Sequence, residues 1–198
     1  SAFDDDFDIS LDLELWLSRL RIASPLIPDD HALKTRFTAI PDSEFASIFL
    51  MSAFGMSDLL QVVPAHILET GASQTNELGH EPLYLAAAFG HATAVAYLAK
   101  HGAEINVECG RLGSPLHAAC FSGHKEVVEE LLNLNADVGC GSLFEDALEA
   151  SLRGHQRDIA LLLIQHNCME ATERSYELAL QQAARAGFPE VVNELQSS

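Results

Sequence analysis

Ser114-Pro115-Leu116-His117-Ala118-Ala119-Cys120-Phe121-Ser122-Gly123-His124 is the stretch from which the rest of the chain can be read. Ser114 is a helix N-cap candidate, because its hydroxyl can accept from an N–H that the first helical turn leaves without a partner. Pro115 follows at the first helical position, where its missing N–H costs nothing. Gly123 then ends the helix, since glycine tolerates a positive φ. A second helix is predicted at once, with Val127, Val128, Leu131 and Leu132 on its apolar stripe. It closes at Asn135-Ala136-Asp137-Val138, where small and polar residues make the exit turn.

The same wording stands 33 residues earlier, where Pro82-Leu83-Tyr84-Leu85-Ala86-Ala87-Ala88-Phe89-Gly90-His91 aligns with Pro115 to His124. A third Gly-His, Gly154-His155, follows Ala147-Leu148-Glu149-Ala150-Ser151, and weaker copies run from Ile48 to Gly55 and from Ala179 to Gly187. The glycines at 55, 90, 123, 154 and 187 are thus 35, 33, 31 and 33 residues apart, each with an apolar stripe after it. One such helix pair cannot bury both of its apolar faces, whereas stacked pairs share a continuous core.

With the Ser114-to-Ala119 opening, the 33-residue period, His91, His124 and His155 after their glycines, and Gly102-Ala103-Glu104-Ile105-Asn106 matching Asn135-Ala136-Asp137-Val138, the chain resembles the ankyrin repeat family. The resemblance covers about residues 41–198 as about five repeats, the first and last degenerate, as terminal caps are. It implies an all-α solenoid of stacked helix-turn-helix units. Three departures stand out: Tyr84 in place of the motif histidine, the short Gly123–Gly154 interval, and Met56 and Phe188 where a histidine should follow glycine.

Residues 1–40 lie outside the repeat and are expected to form an acidic arm and an amphipathic helix, serving as an N-terminal cap or linker. Asp4, Asp5, Asp6, Asp8, Asp12 and Glu14 supply the charge, and Leu13, Trp16, Leu17 and Leu20 share a helical face. Ile9, Leu11, Leu13 and Leu15 also alternate with period two, but the Leu, Glu and Arg content favours a helix ending before Pro25. The start carries acid where a secretory signal needs base and has no initiator Met, so it reads as an excised segment.

Composition narrows the function. The chain has 29 acidic against 11 basic residues, a net charge of −18, and no basic run, which argues against nucleic acid and anionic membrane surfaces as partners. No uncharged apolar stretch reaches the ~18 residues a membrane span needs. Cys109, Cys120, Cys140 and Cys168 fit neither a disulfide framework nor a zinc knuckle, so an intracellular, cytoplasmic setting is expected, with the nucleus also open.

His117, Cys120 and His124 have a spacing that could gather metal ligands, but three ligands across a helix end lack a fourth. The resemblance instead gives His117 a structural role, its imidazole bonded to the preceding repeat loop, with the Ser114 hydroxyl as an available partner. No nucleophile elbow, zinc-protease motif or phosphate loop is present, and Glu129-Glu130 and Glu145-Asp146 fall on a solvated face or a helix start. No enzyme activity, cofactor, metal or catalytic residue is expected.

The resemblance implies that the loop tips and the two residues before each terminating glycine line a concave, protein-binding face. Position by position, this set holds Leu78, His80, Arg111, Leu112, Leu143, Phe144 and Tyr176 at the tips and Phe89, Phe121, Ser122, Leu152 and Arg153 before the glycines. Aromatic residues and arginines are the types that most often anchor interfaces. Phe89, Phe121 and Phe144 are equally suited to packing between repeats. The expected function is a non-enzymatic scaffold in signalling that binds a protein or peptide, with basic partners favoured by net charge. On this reading Phe121→Glu and Leu152→Glu remove partner capture and leave the fold intact. Two alternatives are the sensor or scaffold region of a larger NACHT-type signalling ATPase, which the repeat wording also resembles, and an acidic arm that binds basic proteins or masks the groove.

Overall fold

The computed structural model describes residues 45–139, 143, 144, 146–166 and 173–197, with the side chains of 173–175 and 197 excepted. The expected N-terminal arm and helix lie outside them. The described residues form the helices α1 (Ala46–Phe54), α2 (Ser57–Leu60), α3 (Ala65–Ala72), α4 (Pro82–Ala88), α5 (Ala92–Lys100), α6 (Pro115–Ser122), α7 (Lys125–Asn133), α8 (Ala147–Arg153), α9 (Arg157–Gln165), α10 (Glu173–Ala186) and α11 (Pro189–Ser197). The first helices α1, α4, α6, α8 and α10 pack one on the next, and the second helices α2, α5, α7, α9 and α11 form a parallel layer beside them. The result is the expected all-α solenoid. Its main core is a continuous seam between the layers, with Leu83, Leu116 and Leu148 from the first helices and Leu98, Leu131 and Leu163 from the second.

Local chemistry sets the helix starts. Ser114 accepts from the His117 N–H ahead of Pro115, and Asp146 accepts from the Glu149 N–H at 2.7 Å to start α8. The first repeat departs from the others because Pro64 falls where Leu132 sits inside α7. Proline cannot supply the interior N–H, so the stripe after Gly55 makes only the four-residue α2. α3 then fills the loop and packs against α1 and α4.

The turn between paired helices corrects the register of the fourth repeat. Gly55, Gly90, Gly123 and Gly187 all have positive φ, but Gly154 has φ −77° and His155 takes φ 58° instead. Gln156 (φ −102°, ψ 77°) then occupies the backbone slot of His91 (φ −101°, ψ 75°) and His124 (φ −93°, ψ 79°). The side chains agree: a Cβ added at Gly55, Gly90 or Gly123 would strike His91, His124 or Gln156 of the following repeat. His155 is therefore the counterpart of the turn glycine and not of the turn histidine, and equivalent turns lie 35, 33, 32 and 32 residues apart.

His91 and His124 clasp neighbouring repeats, donating from Nε2 to the carbonyls of Ala53 (3.2 Å) and Ala88 (3.0 Å). His117 is fully buried, with Nδ1 2.7 Å from the Ser114 hydroxyl and Nε2 without a partner, so the expected bond to the preceding loop is not made. Burial lowers its pKa, against the pull of the Asp137 and Glu149 carboxylates. With the folded pKa below the unfolded one, the unfolded chain binds more protons between the two values. Stability should therefore be lost as pH falls below about 6.5, by up to about 1.4 kcal/mol per pH unit. Melting curves over this range should show the loss, and His117→Gln should flatten it; an unchanged slope in that variant would exonerate His117.

Candidate functional site

The corrected register also changes which residues share a face. Three positions before the turn slot stand Ala88, Phe121, Arg153 and Arg185, one from each successive first helix. Phe121 is 37% exposed and stacks on Phe144, ring centres 5.7 Å apart. Phe144 is only 3% exposed, with the Arg153 guanidinium 5.8 Å above its ring. Leu143 is 44% exposed; Ser122 is also exposed but does not line the cavity that the others share. Leu152, by contrast, is 2% exposed, because it aligns with buried Cys120 and not with Phe121. Phe144 and Leu152 are thus walls of this face: Phe144 takes the packing role that the sequence left open beside the anchor role, and Leu152 is not the surface anchor expected of it.

These residues enclose a cavity of about 520 Å³, closed on the far side by His155, Gln182, Arg185 and Ala186. Its polar wall is organised by Glu149, which sequence reading missed as a site residue. Glu149 is buried in α8 at the position that His117 holds in α6, a correspondence hidden by counting from Gly154. The cap was the available signal, since Asp146 precedes Glu149 as Ser114 precedes His117. Glu149 accepts from Arg153 at 2.6 Å and from the Gln182 amide at 3.0 Å. The bond to Glu149 leaves Gln182 Oε1 without a partner.

The remaining predicted residues do not join this cluster. Asn76 Oδ1 accepts from the N–H groups of Leu78 and His80, building a tip that holds Leu78 58% exposed. His80 is half-buried and stacks on Tyr84 at 4.7 Å. Arg111 is exposed, while Leu112 and Phe89 pack partly buried against a smaller core around Phe49 and Tyr84. Tyr176 is not at a loop tip: it lies within α10 and donates to the Leu195 carbonyl at 3.0 Å, tying α10 to α11.

Other chemistry is engaged in structure. His117, Cys120 and His124 point to separate partners or core, and among the described residues no three His, Cys, Asp or Glu side chains are grouped to hold a metal ion. Burial pushes the Cys109 thiol up to about 11, so little reactive thiolate is present near neutral pH. No helix among the described residues is long and apolar enough to cross a membrane.

Residues 48–142 match the family model described as ankyrin repeats, in three copies. The chain is 35% identical over 96 residues to ankyrin repeat and SOCS box protein 11 of Danio rerio, a match covering 48% of this chain and 32% of that protein. It is 40% identical over 87 residues to the probable E3 ubiquitin-protein ligase XBOS32 of Oryza sativa subsp. japonica, covering 42% and 18%. A match to the inactive serine/threonine-protein kinase TEX14 of Mus musculus is 35% identical over 63 residues, covering 32% and 4%. The chain spans less than a third of the length of these relatives.

Proposed function

The chain belongs to the ankyrin repeat family, and from that premise we propose that it is a non-enzymatic recognition module whose first-helix face docks a protein or peptide. The observation that carries this reading is the cluster of exposed Phe121 and Leu143 beside two arginines around one cavity. An exposed aromatic ring next to guanidinium groups is the composition of an interface anchor more than of a solvated surface. Ankyrin repeats are generic protein-interaction modules, which supports a recognition role for this face. The net charge of −18 favours a partner of positive overall charge for rapid encounter.

Affinity capture from a cell lysate tests the reading, with the intact chain compared against Phe121→Glu and against Glu126→Gln on the second-helix layer. The proposal expects a protein bound by the parent and by Glu126→Gln and lost with Phe121→Glu, whose circular dichroism stays native. It also expects capture to weaken with salt. Equal capture by all three chains would remove the first-helix face as the docking surface.

A further inference from the structure

Resting on that docking reading, we propose that the cavity between α8 and α10 accepts a carboxylate that a partner protein carries beside a large apolar side chain. The chemistry of the walls selects this ligand. Six Lys and Arg side chains lie among the described residues, and two of them, Arg153 and Arg185, converge on this one cavity in a chain of net charge −18. The buried carboxylate of Glu149 is bonded to Arg153 and to Gln182. That bond fixes the Arg153 guanidinium beside Phe144, while a guanidinium has five donors and this one is half-exposed. Arg185 is exposed on the next helix. Cation surplus at the mouth therefore asks for an anion, and planar, forked donors suit a carboxylate.

The opposite wall asks for something apolar. Phe121 and Leu143 are exposed large apolar side chains at the rim, and Phe144 and Leu152 form the floor. A free inorganic anion would use only the arginines, whereas a peptide with an acidic residue next to an aromatic or aliphatic one uses both the arginines and the apolar rim.

Nuclear magnetic resonance of the intact, isotope-labelled chain provides the test, with the capped tetrapeptide Gly-Asp-Phe-Gly and its Asn counterpart as probes. The proposal expects saturable shifts centred on Phe121, Leu143, Arg153 and Arg185 with the Asp peptide, and binding weaker by about tenfold with the Asn peptide, the usual effect of losing a charged hydrogen-bond partner. Arg185→Gln should reproduce that loss, and Lys100→Gln, on the second-helix layer, should not. Equal binding of the two peptides, or binding indifferent to Arg185→Gln, overturns the assignment. So does a site already filled by the chain's own Phe3-Asp4-Asp5 segment, which would appear as shifts at Phe121, Leu143 and Arg153 on Asp4→Asn/Asp5→Asn with no peptide present. If Phe121→Glu abolishes protein capture while Arg185→Gln preserves it, docking stands and the carboxylate falls; if neither matters, the docking reading itself fails.

Discussion

Gly154→Ala is expected to destabilise the chain by about 3 kcal/mol or more, although its backbone, at φ −77°, needs no glycine. The constraint is space. A Cβ at Gly154 would fall on the carbonyl oxygen and carbon of Phe121, at the end of the preceding first helix. The colliding atoms are backbone and cannot rotate aside as a side chain can, so α6 and α8 must separate. That separation opens the seam holding Leu116 and Leu148, and in a solenoid the loss is felt mainly at one nearest-neighbour interface. Gly102→Ala is the informative contrast, because Gly102 has φ 90° but nothing within 4 Å of the added carbon. Its cost is the left-handed backbone penalty alone, about 1–2 kcal/mol. Urea titrations of both variants measure the difference, and equal costs would show that the Phe121 carbonyl does not limit the spacing of these repeats.

How much of this was legible in the sequence follows from the scale of the signals. The helix pairs and their order were readable because the repeats share an apolar stripe and a glycine near the turn, and a 33-residue echo reinforces each signal. Pro64 breaks that echo in the first repeat, turning one second helix into the short α2 followed by α3. The fourth repeat misled for a sharper reason. Gly154 looks like its counterparts, yet the left-handed turn moved to His155, and a histidine at φ 58° leaves no distinctive residue type to mark it. A glycine kept for close approach and a glycine kept for positive φ are identical in one sequence. That one-residue slip carried Leu152 to the surface on paper, hid Glu149 at the motif histidine position, and separated Arg153 from its structural counterpart Phe121. The cavity then arose from residues on three helices and a loop whose convergence no local pattern encodes.

Leu152→Glu carries the other large expected effect, and comparing it with Phe121→Glu decides what a loss of binding means. Leu152 is 2% exposed and packed in the continuous core, so removing its side chain already forfeits about 2–5 kcal/mol. The new carboxylate must either stay protonated in an apolar site or ionise without full hydration, adding a further penalty. A total of about 4 kcal/mol or more consumes much of the ~5–15 kcal/mol that holds an ordinary domain together. The repeats from α8 onward should then melt first. Phe121→Glu instead alters a side chain 37% exposed, losing its stacking on Phe144 but burying no charge, at a cost of about 1 kcal/mol. Loss of partner in the Leu152 variant would consequently report unfolding, and loss in the Phe121 variant would report the interface. Thermal melts followed by circular dichroism separate the two. A Leu152→Glu chain that melts with the parent would return Leu152 to the surface, put Gly154 back in the turn-glycine slot, and undo the alignment of Phe121, Arg153 and Arg185 on which the cavity reading depends.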